Sequence, residues 1–270
     1  MPAPTPRSYL AAQAALRSGA DTPRDFLERC LADMAAWEGT IEAFVSTNLP
    51  AARQAADAAT ARWRAGQPRS PIDGMPVGIK DVIETADMPT EQGSPLFKGW
   101  RAGRDSAAAA ALRAAGAVIV GKTVTTEFAA TAPGPTRNPW DPARTPGGSS
   151  SGSAAAVATG MVSAALGTQV IGSIIRPASF CGVHGFKPSV GALNRGGSFD
   201  HLSQSCQGVL AASLEELWLV ARTLASRAGG DPGFPGLSGP LEPPPARRPA
   251  AVAVLQTDGW ATADPDAADA

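Results

Sequence analysis

Two glycine-flanked turns carry the residues best suited to chemistry: Ser149 in TPGGSSSGS (Thr145 to Ser153) and Ser173 in GSIIRPASFCG. With Lys80 of GMPVGIKDVI they form a set that can run acyl transfer without histidine. An amide hydrolase needs a nucleophile, a proton carrier and donors for an oxyanion, and serine, lysine and glycine-rich backbone can fill those roles. A serine hydroxyl is a weak nucleophile until a base takes its proton, and lysine is such a base only where burial lowers its pKa. Val77, Ile79, Val82 and Ile83 give Lys80 apolar surroundings that favour burial. A serine relaying a proton between amine and nucleophile needs an unusual backbone path, and Gly147 and Gly148 supply that freedom. The backbone N–H groups of Val170, Ile171, Gly172 and Ser173 are the candidate oxyanion donors. Such a scheme uses no metal and no organic cofactor.

Each feature has a plainer reading. Glycine-serine runs are usually linkers, an isolated lysine is usually solvated, and a lone serine is an ordinary turn residue. Cys181 and His184 suggest a thiol nucleophile with a base, yet residues three apart in a glycine-containing loop rarely meet in that geometry. His201, the only other histidine, has no orienting partner in the sequence and reads as structural or exposed. Asp81 alternates to the opposite strand face from Lys80 and reads as a structural carboxylate. Gly116 to Thr123, GAVIVGKT, satisfies the phosphate-loop pattern G-x-x-x-x-G-K-T. A true phosphate loop follows a strand and opens a helix. Here a helix precedes it and the middle, AVIV, is strand-like, so the match is read as accidental.

The elements around these turns follow an α/β rhythm. Helices are expected at 7–19, at 23–37 behind the Thr22-Pro23 start, and from Pro50 to about Ala65. Met75 to Ile83 reads as a strand or hairpin pair, and Asp105 with Ser106 caps the helix AAAAALRAA before the strand AVIV. A long Pro- and Gly-rich loop, 132–149, leads into the Ser149 turn; loops of that length are uncommon unless functional or disordered. A close-packed alanine helix at 153–160 and a strand from Ala164 to Val170 follow. Ser213 and Glu216 form a capping box before a helix to about Ala225. The expected organisation is a helical section at 1–66, a core at 67–228, a linker at 229–249, and a single strand (Ala250 to Leu255) with a frayed tail at 250–270.

With 23 basic and 24 acidic residues among 270, the net charge of −1 gives no reason to expect nucleic acid or an anionic membrane as a direct partner. Three widely spaced cysteines, Cys30, Cys181 and Cys206, argue against a disulfide framework and a zinc site. No run approaches the ~18 apolar residues of a membrane span, and the N-terminus lacks a leader-like apolar core. A cytoplasmic location is expected.

Taken together, GMPVGIKDVIET, SAAAAALRAAGAVIVGKTVTTEFA, NPWDPARTPGGSSSGSAAAVA and GSIIRPASFCGVHGFKPSVG resemble the amidase signature enzymes, and the resemblance covers most of residues 70–210. It implies a Ser-cisSer-Lys triad with Ser173 as nucleophile, Ser149 as the cis-serine after Gly148 and Lys80 as base. Arg176 resembles the arginine of an SxxRP variant, where it contacts an acidic substrate group or, as the preferred reading, braces the loop through a salt bridge. The fold implied is α/β, with a mixed, mostly parallel central sheet flanked by helices. Two departures stand out. Ile171 occupies a position that is glycine in the family, where a β-branched residue is strained if φ must be positive. The family core also usually continues past 270 residues, so the chain is expected to be truncated, with an open sheet edge that another chain completes or that leaves it unstable. The expected reaction is hydrolysis of a small-molecule carboxylic amide to acid and ammonia. The chain is expected to act alone, as a homodimer or with a partner subunit. One alternative is the glutamine-hydrolysing subunit of a transfer-RNA amidotransferase, working with a partner that holds the nucleic acid. The other is an inactive remnant.

Overall fold

A computed structural model of the chain describes residues 3–199, 202–243, 245–253, 255 and 258–262. Helix α1 (Tyr9–Ser18) starts where the Ser8 hydroxyl accepts from Ala11 N and stops at Gly19 in the left-handed region. Helix α2 (Pro23–Ile41) has Thr22 as N-cap and proline in its first turn. It runs beyond the expected end at 37 because Trp37 and Ile41 are buried, and that burial outweighs the unfavourable Gly39. A short strand β1 (Phe44–Thr47) precedes α3 (Leu49–Arg64), which Asn48 caps. Strand β2 (Pro76–Lys80), helix α4 (Ala107–Ala115), capped by Ser106, and strand β3 (Val118–Thr123) follow. The expected strand or hairpin pair at 75–83 is thus one strand, with Ile83 making an isolated bridge to Ser198.

Helix α5 (Ser151–Ala158) is buried along its whole length, as small residues allow, and leads to β4 (Ala164–Gln169). Then come α6 (Ile175–Cys181), β5 (His184–Phe186), β6 (Cys206–Ala211) and α7 (Leu214–Ala228). Ser213 accepts from Glu216 N at the start of α7, but the return bond of the capping box is not made, because the Glu216 carboxylate accepts from Tyr9 N and Leu10 N. The described positions 250–253 and 255 of the expected strand are without assigned strand structure; Val254, His201 and residues 263–270 of the tail lie outside the described residues.

The six strands form one sheet in the order β1-β3-β2-β4-β6-β5. Only β2–β3 and β2–β4 are parallel; β1–β3, β4–β6 and β5–β6 are antiparallel, so the expected mostly parallel sheet is corrected to a mixed, mostly antiparallel one. The parallel part is its three-stranded centre. Every antiparallel pairing involves β1, β5 or β6, short or glycine-interrupted strands with no clear alternation to announce them. Strand alternation divides the core. Val77, Ile79, Ile119 and Val209 face a cluster with Leu112 of α4 and Leu217 and Leu224 of α7. Val118, Val120 and Leu210 face a second cluster with Leu31 and Trp37 of α2 and the alanines of α5. Each large side chain so buried contributes about 1.5–3 kcal/mol. Among the described residues no helix is long and apolar enough to cross a membrane.

Candidate active site

Lys80 is the last residue of β2, the central strand between β3 and β4, so both neighbours wall it off and its side chain is 0% exposed. Its amine lies 2.7 Å from Ser149 Oγ, 2.8 Å from Thr168 Oγ1 and 3.4 Å from Thr168 O. Ser149 is buried in turn, and the Gly148–Ser149 peptide is cis. Gly147 has φ +74°, and a Cβ on it would come within 3.1 Å of the Pro177 backbone, so only glycine fits this turn.

The loop entering the turn is tied down at several points. Thr126 N donates to Ser149 O, and Gly152 N to Val124 O. Asn138 donates through Nδ2 to Thr145 O and Phe180 O and accepts from Trp140 N through Oδ1. Trp140 Nε1 donates to Cys181 O. The 132–149 loop is therefore strapped to α6, the helix that follows Ser173.

Ser173 sits half-buried in the turn between β4 and α6, and Ser150 N donates to Ser173 O at 3.1 Å, so the two serine segments run side by side. Among the described residues the Ser173 hydroxyl makes no hydrogen bond, and the N–H groups of residues 170–173 donate to no protein acceptor. They are available to an external oxygen. Ile171 does not have positive φ, so the strain expected of a β-branched residue there does not arise; its side chain is 93% exposed. Arg176 donates from Nε and Nη2 to Gly148 O at 3.0 and 2.7 Å. It braces the Ser149 turn through this carbonyl, and among the described residues it forms no salt bridge. A cavity of about 310 Å³ lined by Thr126, Thr131, Pro133, Gly148, Arg176 and Phe180 opens alongside.

The other candidates fall away from this centre. Asp81 turns to Lys122, whose ammonium lies 3.1 Å away with both side chains fully buried. Burial pushes the Asp81 carboxyl above its usual range and the Lys122 amine below its own, against the opposing pull of their mutual attraction. Lys122 belongs to β3 and also donates to Pro89 O and Thr90 Oγ1, so GAVIVGKT runs from the end of α4 into a buried strand, with its lysine engaged inside the protein, and not from a strand into a helix. Cys181 is buried, its thiol pushed up to about 12 by burial, and donates to Pro146 O, while His184 is exposed; they form no nucleophile-base pair. Among the described residues no three His, Cys, Asp or Glu side chains gather as a metal site.

Sequence reasoning missed Thr168, Gln169 and Asn138. The signal for the first two is a polar pair closing an otherwise small and apolar strand, AALGTQ, that is buried throughout. Polar groups so placed must have partners.

A family model described as Amidase matches residues 25–270. The chain belongs to this family. It is 44% identical over 241 residues to a glutamyl-tRNA(Gln) amidotransferase subunit of Chloroflexus aurantiacus, an alignment covering 87% of this chain and 49% of that protein. It is 34% identical to the native peptide amidase of Stenotrophomonas maltophilia, with a TM-score of 0.77 over 86% of this chain and 51% of that one. A third relative, described as a vestigial protein complex that reveals the origins of an s-triazine catabolic enzyme, is 36% identical with a TM-score of 0.78, covering 88% and 53%. The chain thus spans about half the length of the relatives it matches.

Proposed function

We propose that this amidase-family chain hydrolyses a carboxylic amide through an acyl-enzyme on Ser173, with Ser149 and Lys80 as its proton relay. The observation that carries the reading is the buried contact of Lys80 Nζ with Ser149 Oγ, 2.7 Å, beside a turn that presents an unbonded Ser173 hydroxyl. In the relay the neutral amine of Lys80 takes the Ser149 proton as Ser149 takes that of Ser173. Ser173 Oγ attacks the carbonyl carbon, and backbone N–H groups of residues 170–173 hold the oxyanion. The proton returns through Ser149 to the departing nitrogen, which leaves as ammonia. Water then enters by the same relay and releases the acid.

For substrate we place the side-chain amide of glutamine first, because the amidotransferase subunits similar to this chain reach 44% identity. In that reading a partner subunit takes up the ammonia and holds the nucleic acid. Simple or peptide amides come second, supported by the peptide amidase at 34% identity. Association with another chain is further supported by the relative described as a complex. Ammonia release from glutamine, propionamide, benzamide and malonamate, measured with the native chain and Ser173→Ala, tests the reading. Release that persists undiminished in Ser173→Ala removes it, and silence of the native chain on every amide favours an inactive remnant.

A further inference from the structure

The loop at 132–149 also lines a second cavity, of about 390 Å³, walled by Pro133, Pro135, Pro142 and Pro146 and bearing the side chains of Arg137 and Arg144. It adjoins the 310 Å³ cavity beside Gly148 and Arg176, since Thr126, Pro133, Thr145 and Gly147 line both. Each is within the size range of small-molecule sites, and joined they make a groove suited to an extended ligand. Proline fixes φ and offers no N–H, so the walls are stiff and apolar, fit for a methylene chain. Charge along the groove is one-sided. Its lining holds three arginines and, among the described residues, no Asp or Glu, in a chain of net charge −1. Arg144 is paired with Asp141 at 3.2 Å, and Arg176 is engaged by Gly148 O. Arg137 is exposed and, among the described residues, pairs with no carboxylate; Nη1 donates to Pro142 O at 3.3 Å, while Nε and Nη2 donate to no protein acceptor. Its backbone is held on both sides. Thr136 and Asn138 are buried, Thr136 Oγ1 donates to Glu42 O, and Arg137 N donates to Ile41 O at 2.9 Å. An arginine so placed presents a fixed fork to a carboxylate.

We propose that this groove binds an extended amide with a carboxylate at its far end, a linear monoamide of a dicarboxylic acid, and that Arg137 selects the carboxylate. For the reacting end of such a molecule the inference rests on the function proposed above. Arg176 lines the cavity beside Gly148, and Arg137 lines only the other. The selected carboxylate therefore lies at the end of a chain and not next to the scissile carbonyl, with the methylenes between them along the proline walls.

The test compares malonamate, adipamate and suberamate with neutral alkyl amides of matching length. Two quantities are read: kcat/KM for ammonia release by the native chain and Arg137→Gln, and calorimetric binding to Ser173→Ala with and without Arg137→Gln. The second does not depend on turnover. The acid should be preferred over its neutral partner by about tenfold for adipamate or suberamate and not for malonamate, because a hydrogen bond between charged groups is the stronger kind. Arg137→Gln should erase that preference in both readouts. A preference that survives Arg137→Gln, its absence at every length, or a variant that loses acid and neutral amides equally overturns the inference; the function reading stands as long as the native chain releases ammonia from the neutral amides. Long acids that bind Ser173→Ala through Arg137, without ammonia release from any amide by the native chain, remove the function reading and leave the carboxylate site in place.

Discussion

Glu216 offers a stability prediction whose size follows from its surroundings. The residue opens α7, is 0% exposed, and its carboxylate reaches across to accept from Tyr9 N and Leu10 N at the start of α1. Burial pushes its pKa up to about 7 from the ordinary 4.5, against the pull of those backbone donors. Because the folded value is raised, the native state is favoured most below the unfolded value, and stability is lost as pH rises from about 4.5 through about 7. At 1.36 kcal/mol for each pH unit between the two values, the loss comes to about 3 kcal/mol. Glu216→Gln keeps an oxygen for Tyr9 N and Leu10 N and cannot ionise. Urea unfolding at a series of pH values should therefore show the variant about as stable as the native chain near pH 4 and up to about 3 kcal/mol more stable at pH 8. Parallel stability curves for the two chains between pH 4 and 8, or a glutamine variant that is weaker at pH 8, would refute the reasoning.

Further predictions follow the same logic. Asp81→Ala leaves the Lys122 ammonium buried without its counter-charge and should cost about 3–5 kcal/mol in urea unfolding; a cost under about 1 kcal/mol contradicts the pairing. Asn138→Ala removes one hydrogen bond from the entry loop to α6 and two within the loop, worth about 1 kcal/mol each. Limited proteolysis should then cut within residues 132–149 faster than in the native chain, and an unchanged cutting rate counts against the strap. Lys80→Ala should abolish ammonia release, and undiminished release in this variant excludes a lysine base.

Several parts of the candidate site were legible because they need special residues. A left-handed glycine beside close backbone, a lysine among β-branched neighbours and a serine in the turn before a short helix leave marks in the sequence, and Gly147, Lys80 and Ser173 show them. Helix starts were equally plain where Thr22, Ser106 and Ser213 supply caps. The parallel centre announces itself by apolar runs such as that of β3, and β1, β5 and β6 do not, because their pairing is decided by the sheet they join. Reading only the strong strands turned a mixed sheet into a mostly parallel one. The roles of Thr168 and Gln169 were hidden for a related reason: their partners lie on other segments or around the turn, and spacing along the chain does not reveal which polar groups a buried strand end will meet.

The central claim is a covalent acyl-enzyme on Ser173, and hydroxylamine tests it most directly. An acyl-enzyme partitions between water and this stronger nucleophile, so amide turnover in its presence should yield the hydroxamate, and Ser173→Ala should yield none. Ammonia release without hydroxamate, or hydroxamate formed equally by Ser173→Ala, would contradict the account.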